Sequence, residues 1–209
     1  FADKITQDLI AALDREHQYY QQQIDDAIKT ANKMGITVSG DINSRNNMWK
    51  YGKTMQEMMP DLVQNCDIVM TSTRGVREMF GLGEKGCKFR VSAKALMDTF
   101  PRIKKVVGKN RKRLSASHHQ IQGKMWNGED YIKTPTLDIT HVIDRVGTGD
   151  AYAAGLIYGL LHYESDFQSL KFASAACALK HTVPGDVNTV SLDNVLNLMD
   201  GNTSGELKR

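Results

Sequence analysis

A chain of 209 residues can bury a sizeable core and is most simply one domain, or one and a part. Its 41% hydrophobic and 24% charged content is ordinary for a soluble globular protein, with no internal repeat or low-complexity tract, so composition alone names no function. The net charge of +3 suits small anionic ligands but is too weak to argue for nucleic acid, and the longest apolar run, Ala151 to Leu161, is about half of the ~20 residues a membrane span needs.

Phe1-Ala2-Asp3-Lys4 leads into a polar helix rather than an apolar leader, and a start on Phe1 implies that an upstream part is absent. Residues 4 to 34 carry a helical pattern, with Ile5, Leu9, Ala12 and Leu13 on one stripe and Ile24, Ala27, Ile28 and Ala31 on the next; Gly35 supplies the left-handed stop. A strand is expected at Ile36 to Ser39, opening into the polar loop Gly40-Asp41-Ile42-Asn43-Ser44-Arg45, where α/β proteins place ligand-binding residues. Residues 54 to 64 read as a helix and Asp67 to Met70 as a buried strand. Thr71-Ser72-Thr73 then caps a helix running toward Phe80. A helix at 92 to 99 precedes a strand at Ile103 to Val107, and this alternation argues for a parallel sheet covered by helices. Leu114 to Ile121, Gly123 to Trp126 and Tyr131 to Lys133 read instead as antiparallel strands, with Asn127-Gly128 as a two-residue hairpin turn. Helices near 150 to 162, 166 to 181 and 191 to 199 close the chain.

The cysteines, Cys66, Cys87 and Cys177, are odd in number and form no CxxC pair, which reads as reduced thiols in the cytoplasm. His118 and His119 look like a metal pair, but neighbours on a strand point to opposite faces, so no metal role is assigned. Trp49, Trp126 and Tyr152 are read as packing residues. Arg102 to Arg113 holds seven basic residues, read as a solvated face rather than a nucleic-acid patch.

The most informative stretch is Asp144-Arg145-Val146-Gly147-Thr148-Gly149-Asp150, followed by the small and apolar run from Ala151. Gly147, Thr148 and Gly149 form a tight turn whose free amides, at the positive end of a buried helix, make an anion site. Asp150 stands where charge would develop; the bland alternative makes it only a helix cap. Ala151, Gly155 and Gly159 recur every fourth residue and give a smooth face on which another backbone can pack.

With Tyr152 and Gly155 at fixed distances after Asp150, this segment resembles the second signature of the ribokinase, or PfkB, family of carbohydrate kinases. Asp41 to Trp49 is similar to the "DINxRxxxW" loop of 2-keto-3-deoxygluconate kinases, Lys180 to Asp186 to their "KHTxPGD" segment, and Ser115-Ala116-Ser117 to a further stretch of that subgroup.

The resemblance implies an α/β, ribokinase-like three-layer fold with a mostly parallel central sheet and a C-terminal antiparallel hairpin portion, the lid strands being absent. Residues 1–209 would be the C-terminal two-thirds of the kinase domain, its nucleotide-binding and catalytic part. It implies transfer of the ATP γ-phosphoryl group to the terminal hydroxyl of 2-keto-3-deoxygluconate, with Mg²⁺ held chiefly by the nucleotide. Asp150 is then the base and the amides of Gly147, Thr148 and Gly149 are the anion hole. Arg45 and Asp186 join Asp150 on the sugar acid, and Asn43, Ser44, Arg45, Ser72, Gly147 and Lys180 serve the nucleotide. The partners implied are a sugar acid and ATP, with no nucleic acid or membrane; the missing lid is where a homodimer would form. Two segments depart from the family pattern. Thr71 to Gly75 lacks the usual metal-organising carboxylate until Glu78. Gly108 to Arg113 replaces a Thr-Leu-Arg type of sequence, leaving Arg111 or Arg113 for the phosphate.

Overall fold

The computed structural model describes residues 2–45, 49 and 52–201, and within the first helix the side chains of residues 2, 3, 5–11, 13, 14 and 17 lie outside that description. Phe1, the Asn46-Asn47-Met48 part of the loop motif and the Ile5, Leu9 and Leu13 stripe therefore fall outside the described residues. The helices are α1 (Ala2–Lys33), α2 (Met55–Val63), α3 (Thr73–Phe80), α4 (Phe89–Thr99), α5 (Thr148–His162), α6 (Asp166–Lys180) and α7 (Leu192–Met199). The strands are β1 (Ser39–Asp41), β2 (Ile68–Met70), β3 (Lys105–Arg113), β4 (His119–Trp126), β5 (Tyr131–Lys133) and β6 (Leu137–Ile139).

They form one open, mixed sheet in the order β1-β2-β3-β4-β5, with β6 also on β4. The expected parallel part is β1, β2 and β3, in register Ser39 with Ile68 and Ile68 with Lys105; β4, β5 and β6 add antiparallel pairings. Side-chain alternation assigns the two faces. Ile68, Met70 and Val107 point into a core with Tyr152 and Leu156 of α5 and Leu170, Ala173 and Cys177 of α6. Val69 and Val106 point the other way, against Val63, Val76, Phe89, Ala93 and Leu96 from α2, α3 and α4. Both faces are covered, which is why Ile68-Val69-Met70 is buried without alternation.

Four expectations shift. The first strand begins at Ser39 rather than Ile36: Ile36 is exposed, and Val38 contributes its carbonyl to Asp67 and Ile68 before ladder pairing starts. The β-branched pair at 36–37 has strand propensity but, among the described residues, no strand to pair with. The strand expected to end at Val107 continues to Arg113 and becomes the first arm of a hairpin with β4, so its polar second half projects past the helical layers. The Asn127-Gly128 turn is the start of a longer loop: Asn127 Oδ1 accepts from the amides of Glu129 and Asp130, an Asx turn spanning 127–130. On α1, Ile28 and Ala31 are partly covered, whereas Ile24 and Ala27 are exposed.

The small face of α5 meets α6 as expected. A methyl group on Gly155 would sit 3.0 Å from Ala173 Cα, and one on Gly159 would sit 2.6 Å from Ser169 Cα. The obstacle is backbone, so neither helix can yield without separating. Gly159→Ala is expected to destabilise the fold by about 2 kcal/mol despite alanine's better helix propensity. Thermal unfolding checks this, and an unchanged or raised Tm would show that α5 and α6 are not locked at this crossing.

Candidate active site

The C-terminal ends of β1, β2 and β3 and the N-terminus of α5 open onto one cleft of about 1090 Å³. Its walls are the loop 41–45, the segment 70–75, the segment 107–111 and residues 148–152. Parallel strand ends leave their last residues unpaired beyond the sheet, so polar groups gather there. Asp41, Asn43, Ser44, Arg45, Ser72, Thr148, Gly149 and Asp150 all line this space.

The turn before α5 is built by its own side chains. Asp144 Oδ1 accepts from the amides of Arg145 and Val146, and its Oδ2 accepts from the amide of Gly185 at 2.9 Å. These amides, Val146 and Gly185 foremost, hold its carboxyl below the usual carboxylate range. Gly147 caps the helix at φ +73°, a conformation that favours glycine, and a Cβ there would strike the backbone carbonyl of Asp186. Thr148 donates its hydroxyl and its amide back to Arg145 O. Among the described residues, the amides of Gly149 and Asp150 have no protein acceptor, and both residues line the cleft. Asp150 itself is the third residue of α5, not its cap, and makes no capping hydrogen bond.

Around Asp41 stand Lys109, Asp150 and Arg45. Asp41 keeps solvent contact, but the cleft walls desolvate its carboxyl and push its pKa up; Lys109 opposes that rise and Asp150 adds to it. Arg45 carries the left-handed φ of +32° that a non-glycine residue rarely adopts, a strain found at binding sites. No carboxylate among the described residues pairs with its guanidinium within 4 Å. Ser44 contacts Glu78, which Arg74 grips at 2.6 Å, tying the β1 loop to α3. Ser72 caps α3, accepting from the amide of Gly75 at 2.9 Å, while the buried Thr71 hydroxyl has no partner among the described residues.

Two of the expected residues, Lys180 and Asp186, lie behind the turn rather than in the cleft, and Gly147, the cap of α5, does not line it either. Lys180 is fully buried and donates to the carbonyls of Val183 and Gly185, at 3.1 and 2.6 Å. It thereby holds the loop whose next residue, Asp186, supports Gly147 from the rear. Of the two arginines left open, Arg111 lines the cleft and Arg113 does not. Lys109 and the wall position of Asp41 were missed as site residues. The available signal was position: Asp41 ends β1, and Lys109 stands two residues past Val107, where the parallel pairing of β3 stops. The basic run is dispersed: Arg102 pairs with Asp67, Lys105 with Asp166, and Lys109 and Arg111 face the cleft. His118 turns outward to Asp138 at 2.8 Å, while His119 is buried edge-on to His181. The Tyr152 hydroxyl donates to Gly108 O, and Arg90 lies over the buried Trp126 ring.

The family model for pfkB family carbohydrate kinases matches residues 21–192. A 2-dehydro-3-deoxygalactonokinase of Haloferax volcanii is 25% identical over 178 residues, covering 85% of this chain and 52% of that protein. Among solved structures, a PfkB family carbohydrate kinase from Listeria grayi superposes with a TM-score of 0.79 at 26% identity, covering 88% of this chain and 56% of its own. The 2-dehydro-3-deoxygluconokinase of Thermotoga maritima gives 0.77 at 29% identity, covering 87% and 55%. The chain thus spans about half the length of these relatives. A glycine turn opens α5 with a carboxylate on the helix's third residue, and the family match runs over most of the chain: this protein belongs to the pfkB family of carbohydrate kinases.

Proposed function

We propose that the protein transfers the γ-phosphoryl group of ATP to the terminal hydroxyl of 2-keto-3-deoxygluconate, giving the 6-phosphate. The observation that carries this reading is one cleft lined by Asp150, by two amides without a protein acceptor among the described residues, and by Arg45, which has no carboxylate within 4 Å among them. The amides suit a phosphoryl group gaining charge, and a guanidinium suits the carboxylate of a sugar acid. Asp150 takes the hydroxyl proton as the oxygen attacks the γ-phosphorus; the bond to the β-γ bridging oxygen breaks and ADP leaves. Gly147 and Thr148 complete the anion hole. Asn43, Ser44 and Ser72 line the nucleotide side, and Lys180 and Asp186 serve it by holding the turn.

No cluster of three metal-binding side chains exists among the described residues, and Thr71 to Gly75 offers hydroxyls, amides and Arg74. That donor set fits phosphate oxygens rather than a metal cage. Mg²⁺ would therefore arrive on the nucleotide, held by phosphates and water. The chain is taken as the catalytic and nucleotide-binding part of a longer kinase domain whose lid supplies the remaining sugar contacts and a homodimer interface. Three free thiols support a cytoplasmic setting; among the described residues no helix is long and apolar enough to cross a membrane.

Phosphorylation of a sugar panel tests the substrate. 2-Keto-3-deoxygluconate is expected to exceed neutral hexoses and nucleosides in kcat/KM; preference for a neutral sugar overturns the assignment. Arg45→Met is expected to raise KM for the sugar acid by about 10- to 100-fold, the loss of a charge-assisted fork, with KM for ATP nearly kept. An unchanged sugar-acid KM would remove Arg45 from the acid-binding role.

A further inference from the structure

Lys109 is the cleft's unassigned cation. It stands on β3 two residues past Val107, and its ammonium donates to the carbonyl of Thr148, the first residue of α5, at 3.3 Å. It lies 4.9 Å above the Tyr152 ring and 4.0 Å from where a Cβ on Gly149 would be. Tyr152 is itself fixed, buried and bonded to Gly108 O, so the lysine stem rests on an immobile ring.

Two neighbouring cations contrast with it. Arg74, which also lines the cleft, is engaged by Glu78, and Lys105 on the same strand is clamped by both oxygens of Asp166. Among the described residues Lys109 has no carboxylate within 4 Å. One of its three N–H donors takes a long bond to a carbonyl and another reaches the buried Cys177 thiol. A half-buried ammonium with a donor to spare, held beside two unengaged amides, is arranged for an incoming anion. Asp41 and Asp150 are near enough to act electrostatically in the same space, but Asp150 is needed for the hydroxyl proton.

We propose that Lys109 is a further catalytic residue, whose ammonium contacts the transferring phosphoryl oxygens beside the amides of Gly149 and Asp150. The inference rests on the kinase reading above. The lysine keeps its proton throughout: it supplies charge while the hydroxyl proton goes to Asp150 and ADP departs. A fixed cation here fits a loop at 71–75 that brings no carboxylate to organise a metal. It also explains why a lysine is tolerated at the floor of a cleft where, among the described residues, no carboxylate lies within 4 Å of it.

Lys109→Met and Lys109→Arg test this. In the methionine variant kcat is expected to fall about 100-fold or more, the effect of removing one donor from an oxyanion site, with both KM values within about 3-fold. Affinity for ADP with aluminium fluoride and the sugar acid, a mimic of the transferring phosphoryl, is expected to fall by a similar factor while ADP alone is nearly unchanged. Lys109→Arg should recover at least about 10-fold in kcat, because the charge remains. A methionine variant with kcat within about 3-fold of the parent overturns the proposal. So does equal loss of ADP and ADP–fluoride binding, which marks a prop for the turn. If Lys109→Met does not fold, Lys109→Gln is read by the same two affinities. If the parent phosphorylates no sugar, the kinase reading fails; the Kd for inorganic phosphate then decides for Lys109, a loss of about 10-fold sustaining its anion contact and no change overturning it.

Discussion

Asp150→Asn is expected to lower kcat by about 1000-fold while both substrates still bind, since a positioned general base contributes some 10²- to 10⁴-fold. The substitution keeps the size and planarity of the side chain. Asp150 is the third residue of α5 and makes no capping bond, so its loss does not undo the helix start. The amides of Gly149 and Asp150 remain in place, and the anion site should still hold the nucleotide. Steady-state kinetics with ATP and 2-keto-3-deoxygluconate, alongside calorimetric binding of ADP, separates the two effects. A kcat within about 10-fold of the parent would mean that Asp150 is not the base. A large rise in KM for ATP with kcat kept would recast it as part of the nucleotide site. A parent without turnover on any sugar would instead favour a binding protein that kept the fold, a reading motivated by the carboxylate-free segment Thr71 to Gly75.

The sequence patterns that proved legible were those written in local chemistry. Gly147 is needed because only its φ of +73° turns the chain into α5, and Gly155 and Gly159 because α6 lies against them; both needs leave glycine in the sequence at readable spacing. Ser72 as the cap of α3 and Gly35 at the end of α1 were legible for the same reason. Pairing was not. Nothing local tells that the polar run Lys109 to Arg113 extends a parallel strand into a hairpin, because its partner residues, His119 to Gly123, lie beyond an intervening loop. Strand boundaries at 36–41 were misplaced because Ser39-Gly40-Asp41 has poor strand propensity and is extended only through its ladder to Ile68-Val69-Met70. The site divided along the same line. Residues on the α5 turn were readable as a group, whereas the rear position of Lys180 and Asp186 depends on a loop that folds back onto the turn, with Gly185 bonded to Asp144 across 41 residues. Lys109 carried no motif at all; its place beside Thr148 follows from β3 and α5 being packed together.

That fold-back makes Gly147→Ala the second large effect. Alanine at this φ costs about 1–2 kcal/mol in backbone strain, and its Cβ would collide with the carbonyl of Asp186, so the turn or the 183–186 loop must move. Displacing the amides by even about 1 Å is enough to cost roughly 100-fold in kcat. Stability should suffer less: the core between the sheet and α5 is untouched, and a loss of some 2–3 kcal/mol corresponds to a fall in Tm of roughly 5–10 °C. Gly185→Ala is the control, since Gly185 has φ +77° but open space around its Cβ position. It shares the strain without the collision, and its kcat should stay within about 10-fold. Acid should loosen the same turn. The pKa of Asp144 is lowered in the folded state, so its contribution is fully present above the ordinary carboxylate range and is lost only as pH falls through its native value. Activity near neutrality should therefore not depend on Asp144 titration, whereas Asp144→Ala should reproduce the Gly147→Ala loss at every pH. Equal kcat for Gly147→Ala and Gly185→Ala would show that contact with Asp186 does not set the geometry of the turn.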